Sequence, residues 1–151
     1  MYHTNNSDAL AAVLMDLVGL LNSPRRDDIL IQEAGVSIDR ALFPLLVRIG
    51  AAGSLSVVEL AEQVARDHST VSRQVAKLET MGLVTRRLGE RDQRVREAVI
   101  TAEGRHVVRA ITAARRRLFR KLLADWSEPD RQNLARLNRK LVDAMRRFQP
   151  S

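Results

Sequence analysis

Residues 68–82, HSTVSRQVAKLETMG, carry Ser69, Thr70, Arg73, Gln74 and Lys77 on one side of a helix and Val71, Val75, Leu78 and Met81 on the other. The apolar positions recur at steps of four, three and three, one face of a helix with a period near 3.6. A wet face of short hydroxyls, an amide and two cations differs from an ordinary solvated surface rich in Glu and Lys. These groups suit a DNA major groove: Ser and Thr meet several base edges or phosphates, and Arg binds guanine with two hydrogen bonds. Ser69, Thr70, Ser72, Arg73, Gln74 and Lys77 are therefore the candidate DNA contacts of this helix. Taken alone, the helix leaves a second reading open, a solvated face on which Ser69 caps the first turn.

The neighbouring segments decide between them. Ser56-Val57-Val58-Glu59 is a capping box, in which the serine oxygen accepts from the third helical N–H and the glutamate reaches back to the serine N–H. The helix it opens turns Val57, Leu60, Ala61 and Val64 inward and ends near Arg66. A tight turn then leads into residues 68–82, which close at Gly82, a position suited to a left-handed cap. Two helices joined this way form a helix-turn-helix. Residues 83–87 and 95–100 read as strands, and the polar connection between them contains Gly89, so a β-hairpin follows. This basic wing supplies the further candidates Arg86, Arg91, Asp92, Arg94 and Arg96.

Helices flank this centre. Ser7 is placed to cap a first helix over residues 8–21, with Leu10, Leu14, Leu17 and Leu21 on one stripe. A short helix follows up to Ala34, with Gly35 as its stop. Asp39 is placed to cap the next, with Pro44 near its start and Leu42, Leu45, Leu46 and Ile49 facing inward until Gly53. Thr101 caps a long helix to about Ala124, and Ser127 opens the last one. There Leu134, Leu137, Leu141, Ala144 and Phe148 form a heptad-like seam. Stripes at both chain ends exceed what one small chain can cover. Leu10, Leu14, Leu17, Leu21, Leu134, Leu137, Leu141 and Phe148 are accordingly expected at an interface between two copies.

Composition narrows the function classes. The chain has 151 residues and a formal charge of +7, unevenly spread. Residues 1–65 hold four Arg against eight acids, residues 66–96 eight basic against four acidic residues, and residues 98–151 thirteen against five. A basic middle and C-terminal part suit a polyanion. The sequence has no Cys, which excludes disulfides and thiol redox chemistry. Its 3 His residues are far apart, and no metal ligand set, nucleophile–base pair or phosphate-cradling glycine loop can be assembled. No cofactor is expected, and neither is an enzyme. The apolar run 9–21 is broken by Asp16, too short to span a membrane and wrong for a signal peptide, so a soluble cytoplasmic protein is expected.

In order along the chain, Val58-Glu59-Leu60-Ala61, Ser69-Thr70-Val71-Ser72-Arg73, Leu78-Glu79-Thr80-Met81-Gly82-Leu83-Val84-Thr85-Arg86, Arg91-Asp92-Gln93-Arg94 and Ile100-Thr101-Ala102-Glu103-Gly104 resemble the MarR family of bacterial and archaeal transcription regulators. The resemblance runs from about Ser37 to Ala144. It implies a winged helix-turn-helix homodimer on an inverted-repeat operator, usually a repressor, often released by a small aromatic or anionic effector. It further implies that residues 69–81 form the recognition helix, that Arg94 enters the minor groove and that Asp92 holds it. The family commonly has Leu-Thr where this chain has Ile100-Thr101. Physical reasoning supports the wing separately. A guanidinium on a narrow loop fits the negative potential of a narrow minor groove, whereas Asp92 would repel phosphate and is better understood as a partner that orients Arg94.

The expected fold is mainly α with a small β-hairpin wing. Residues 37–101 would form the DNA-binding winged helix-turn-helix, and residues 1–36 with 102–151 the helical dimerisation region. The expected function is sequence-specific binding of double-stranded DNA. The alternative is a winged-helix module for protein–protein interaction.

Overall fold

The computed structural model describes residues 2–150 apart from Arg91, and folds them into seven helices and three short strands. The chain forms two compact units, Met1–Arg115 and Arg116–Ser151. The first holds α1 (Tyr2–Leu21), α2 (Pro24–Ala34), α3 (Phe43–Ala52), β1 (Ser54–Ser56), α4 (Val57–Val64), α5 (His68–Thr80), β2 (Val84–Leu88), β3 (Arg96–Ile100) and the start of α6 (Ala102–Leu122). The second holds the rest of α6 and α7 (Glu128–Arg147).

In the first unit the core is built where the apolar periodicities of α3, α4 and α5 converge. Leu45, Leu46 and Ile49 of α3, Leu60 of α4 and Val71, Val75 and Leu78 of α5 are fully buried, as is Ile111 of α6. Each such side chain stabilises the fold by roughly 1.5–3 kcal/mol relative to exposure. Met81 departs from the expected stripe. It lies one residue beyond α5 and is 44% exposed, because Leu78 completes the buried face and the chain then turns away.

Local signals set most helix ends. Ser56 Oγ accepts from Glu59 N–H at 3.1 Å, and Glu59 Oε1 accepts from Ser56 N–H at 3.3 Å, so the capping box is complete. Gly35 and Gly82 take left-handed conformations, with φ of 66° and 77°. Two starts differ from expectation. α1 already runs from Tyr2, so Ser7 lies inside it and is not its cap; once a helix exists, each added residue gains a backbone bond that a local cap signal does not outweigh. Asp39 caps a separate turn, with its Oδ1 accepting from Ala41 N–H at 3.3 Å and its carbonyl from Leu42 N–H at 2.9 Å. α3 begins only at Phe43, with Pro44 in its first turn, where a missing N–H costs nothing.

The hairpin gains a third strand. The sheet order is β1-β3-β2, all antiparallel, with Leu55 opposite Ala98 and Arg86 also opposite Ala98 across the other edge. Leu55, Val84, Ala98 and Ile100 are buried, which gives the wing the support a lone hairpin lacks. Three residues were too short a run to show a period of two, so β1 was not visible in the pattern.

Thr101 fastens α6 to the end of α5. Its hydroxyl donates to Gly82 O at 2.7 Å and accepts from Gly104 N–H at 3.0 Å, while its own N–H donates to Leu83 O at 3.1 Å. Gly104 is required there, because a Cβ would collide with the Leu83 carbonyl oxygen.

In the second unit Ser127 caps α7 by accepting from Asp130 N–H at 3.2 Å, and Arg131 Nη2 donates to Leu123 O at 2.8 Å. No described residue of α7 is buried. Leu134, Leu137, Val142, Met145 and Phe148 are exposed, as are Leu10, Val13, Met15, Leu17, Val18, Leu20 and Leu21 of α1. No described helix is long and apolar enough to cross a membrane.

Candidate nucleic-acid interface

The turn between α4 and α5 is built from three residues with separate tasks. Ala65 adopts a left-handed conformation, φ 53°, and its N–H donates back to Ala61 and Glu62 carbonyls. Arg66 ties the turn to the rest of the unit, its Nη1 donating to Ala41 O at 2.7 Å and to Gln74 Oε1 at 3.0 Å. Asp67 caps α5. Its Oδ2 accepts from Thr70 N–H at 3.0 Å and from Ser69 Oγ at 2.6 Å, and its Oδ1 accepts from Thr70 Oγ1 at 2.7 Å. These bonds, the Ser69 hydroxyl foremost, hold the Asp67 carboxyl well below the usual carboxylate range. The cap is therefore Asp67, not Ser69. An aspartate two residues ahead of Ser69 matches N-cap preference and was legible. Arg66 was not, since Ala41 lies 25 residues away.

The outer face of α5 now divides. Ser69, Arg73 and Lys77 are exposed, and Thr70, Ser72 and Gln74 are half-buried. Arg73 and Lys77 have no ion-pair partner among the described residues. Gln74 is different, because its carbonyl is held by Arg66 and only its amide N–H₂ remains to donate. A two-bond contact to adenine, which needs both ends of the amide, would have to share the carbonyl oxygen with Arg66.

Arg86 also turns inward. Its Nη2 donates to Ser72 O at 3.3 Å, and its Nε lies 3.9 Å from Glu79 Oε1. It thus joins β2 to the middle of α5, although the sequence places it with the wing contacts. Arg87 pairs with Glu90 at 3.6 Å and Glu97 at 3.8 Å. Arg96 is exposed at the start of β3, and Arg91 lies outside the described residues.

At the wing tip Asp92 Oδ1 accepts from the backbone N–H of Arg94 at 3.0 Å and from its Nε at 3.2 Å. The Arg94 side chain is 92% exposed, and its two terminal nitrogens have no partner among the described residues. Gly89 closes the loop, its N–H donating to Val95 O at 2.7 Å; a Cβ there would sit 2.7 Å from Asp92 O.

Beside the second half of α5 lies an open groove of about 760 Å³, walled by Ile31, Val36, Ile38, Leu42 and Met81, with Lys77 at its edge. The exposed Met81 forms part of its wall. No group of His, Cys, Asp or Glu among the described residues could hold a metal ion.

Residues 38–95 match the model of the MarR family. The chain is 32% identical over 111 residues, 71% of its length and 78% of the relative's, to the uncharacterized HTH-type transcriptional regulator YxaD of Bacillus subtilis. Among solved structures it resembles a MarR family protein from Bacillus stearothermophilus, with 22% identity, a TM-score of 0.77 and coverage of 95% of this chain and 98% of that one. It also resembles the transcriptional regulator BldR from Sulfolobus solfataricus, with 24% identity, a TM-score of 0.66 and coverage of 91% and 96%. The two structures speak for the fold alone. Together with the relative and the family match, they lead to the conclusion that the chain belongs to the MarR family of transcriptional regulators.

Proposed function

We propose that the protein is a homodimeric repressor that binds an inverted-repeat operator in the cytoplasm and is released by a small aromatic or anionic compound. In this reading α5 enters the major groove, where Arg73 contacts a base edge and Lys77 a phosphate, while Arg94 enters the minor groove. The observation that carries it is the pairing of two cationic elements in one unit: the exposed Arg73 and Lys77 of α5, and the Arg94 guanidinium held by Asp92. The Arg86 bond to Ser72 O joins the wing to the helix, so both elements can meet one DNA segment in a fixed relation. Apolar residues left exposed on α1 and on α7 support a second copy as their cover. The groove beside α5 offers mostly apolar walls with Lys77 and Asp39 among its lining, a combination that suits a small aromatic compound.

A gel-shift titration on the protein's own promoter DNA tests this. Arg73→Ala should cost about 1–3 kcal/mol on the preferred site and relax base preference, and Lys77→Ala should weaken all sequences about equally. Equal losses on specific and random DNA from both substitutions would remove the base-reading role of Arg73. A monomer in sedimentation at micromolar concentration would remove the dimer.

A further inference from the structure

We propose that Arg66 is a positioning residue for base reading: by holding the carbonyl end of the Gln74 amide it turns the N–H₂ end outward, so that Gln74 selects a keto base, guanine or thymine, on the strand it faces. The proposal rests on the DNA-binding reading above and specifies what one side chain of that site recognises.

The hydrogen-bonding roles of the groups fix the arrangement. An arginine carries only donors, so the end of the amide that faces it is the carbonyl oxygen and the nitrogen lies at the other end. Arg66 Nη1 donates to Gln74 Oε1 at 3.0 Å and to Ala41 O at 2.7 Å, which uses both of its hydrogens. Ala41 lies 25 residues back, in the turn that Asp39 caps, so the guanidinium is tied to backbone of a separate segment. Turning the amide over would set its N–H₂ against the guanidinium, donor against donor. Among the described residues the buried side-chain nitrogens without a partner are Arg86 Nε and Arg131 Nε. Gln74 Nε2 has no partner there either and is not one of them, so it is open to solvent.

A glutamine with both ends free matches adenine, giving a hydrogen to N7 and taking one from N6–H₂. Here the oxygen faces a cation, and adenine would have to share it. The outward N–H₂ needs only acceptors, which guanine supplies at N7 and O6 and thymine at O4; cytosine presents an amino group, and adenine sets its own amino group beside N7. The guanidinium reinforces the choice twice. Its bond polarises the amide and strengthens the N–H₂ as a donor, and its charge favours an electronegative keto edge over an amino edge. Lys77, one turn further on, is a donor as well. Thr70, one turn before, gives its hydroxyl hydrogen to Asp67 at 2.7 Å and keeps lone pairs that accept, so the base read by Gln74 has to be identified by removing Gln74 itself.

The test is selection from a randomised double-stranded DNA library by the wild type, Gln74→Ala, Arg66→Met and Gln74→Glu, followed by titration of single-base variants of the selected site. The position whose preference disappears in Gln74→Ala is the one Gln74 reads. There the wild type should prefer guanine or thymine, and exchange for adenine or cytosine should cost about fivefold or more, the low end of a good base contact. Arg66→Met keeps the aliphatic stem and loses the donors. It should move the preference at that position to adenine and leave the other positions unchanged, whereas a purely structural role in holding Ala41 O would not act on one base. Gln74→Glu keeps an oxygen for Arg66 but turns a second oxygen outward, and should change the preference to cytosine whatever its overall affinity. If Arg66→Met does not fold, the wild-type preference and Gln74→Glu decide the matter. Adenine at that position in the wild type, an unchanged preference in folded Arg66→Met or in Gln74→Glu, or no position that responds to Gln74→Ala overturns the inference while the DNA-binding reading stands. Failure of the wild type to select any sequence overturns both.

Discussion

Substitution of Asp92 sets two physical effects against each other, and each has a physical scale. Removing its carboxylate makes the wing more positive. A unit charge about 8 Å from a phosphate in water is worth roughly 0.5 kcal/mol before salt screens it. That favours tighter binding by Asp92→Ala. Against it stands the orientation of Arg94. Ordering a whole arginine side chain costs up to about 2 kcal/mol, and an exposed ion pair offsets only about 0.2–1 kcal/mol of that in advance. With the side chain 92% exposed and held through Nε alone, the lower range applies. The orientation loss alone should be about 1.4- to 5-fold per subunit, hence about 2- to 30-fold for a dimer using both wings, with the charge gain subtracting from it at low salt. Salt separates the effects, because screening weakens the charge gain and leaves the orientation loss. The defect of Asp92→Ala should therefore grow as salt is raised.

The same oxygen of Asp92 also accepts from the Arg94 N–H, so part of its task is to close the loop. Asp92→Asn keeps that acceptor with the net charge of the alanine variant. If the charged bond to Nε matters, Asn should fall between wild type and Ala; if only the turn matters, it should match wild type. Arg94→Ala should weaken binding and make the salt dependence shallower by about 0.9 in slope per subunit. The double variant should be little worse than Arg94→Ala. Fluorescence-anisotropy titrations on one operator at two salt concentrations supply the numbers. An Asp92→Ala defect that does not grow between the two salt concentrations, or fully additive losses in the double variant, refutes the positioning role.

Three further predictions concern the frame. Ser56→Ala removes the hydroxyl half of the α4 capping box at a buried site, leaving the backbone N–H to Glu59 Oε1 bond available, and should cost about 1 kcal/mol in urea unfolding, within a range of about 0.5–2. Gly104→Ala drives a Cβ into the Leu83 carbonyl and to 2.9 Å from Ile100 Cδ1, and should destabilise by about 1–3 kcal/mol; an unchanged melting temperature would contradict the seating of α6. Asp67, with its folded pKa depressed, contributes stability that is complete above the unfolded value near 3.9 and is lost as pH falls towards the folded value; acid titration should show the wild type converging on Asp67→Asn only below about pH 4.

What was legible in the sequence was what neighbouring residues decide. The capping box at Ser56, the glycine stops and the buried stripe of α5 all depend on contacts within four residues, so the pattern names them. Asp92 and Arg94, two apart in a loop, belong to the same class. The misses involve distance or competition. Arg66 and Gln74 are joined by a bond that also needs the Ala41 carbonyl, and Arg86 finds Ser72 O across 14 residues. A basic residue in a basic hairpin reads as a DNA contact, and its task of holding Ser72 O becomes visible only in the fold. β1 was invisible because three residues cannot display alternation. Ser69 stood as a possible cap because its type allows it, while Asp67, with two oxygens and a charge, competes better for the first-turn N–H groups.

These tethers explain how the proposed interface would divide its labour. α5 is fixed at its start by Asp67, in its middle by Arg86 on Ser72 O and by Arg66 on Gln74, and just beyond its end by Thr101 on Gly82 O. Its inner face is packed by three fully buried side chains, so rotation about its axis would expose them. A helix held at four levels presents its side chains in one geometry, which is what discrimination by hydrogen-bond polarity requires: a donor misplaced by an ångström meets the wrong atom. The wing tip has the opposite construction. Arg94 is held by one carboxylate oxygen and is otherwise in solvent, so its long side chain can follow grooves of different width. Sequence discrimination then belongs to the constrained helix, and adaptable electrostatic grip to the loop. The wing can accept some sequence variation beneath it without loosening the reading face, because the Arg86 bond joins α5 to β2 at the base of the hairpin and leaves the tip out of the constraint.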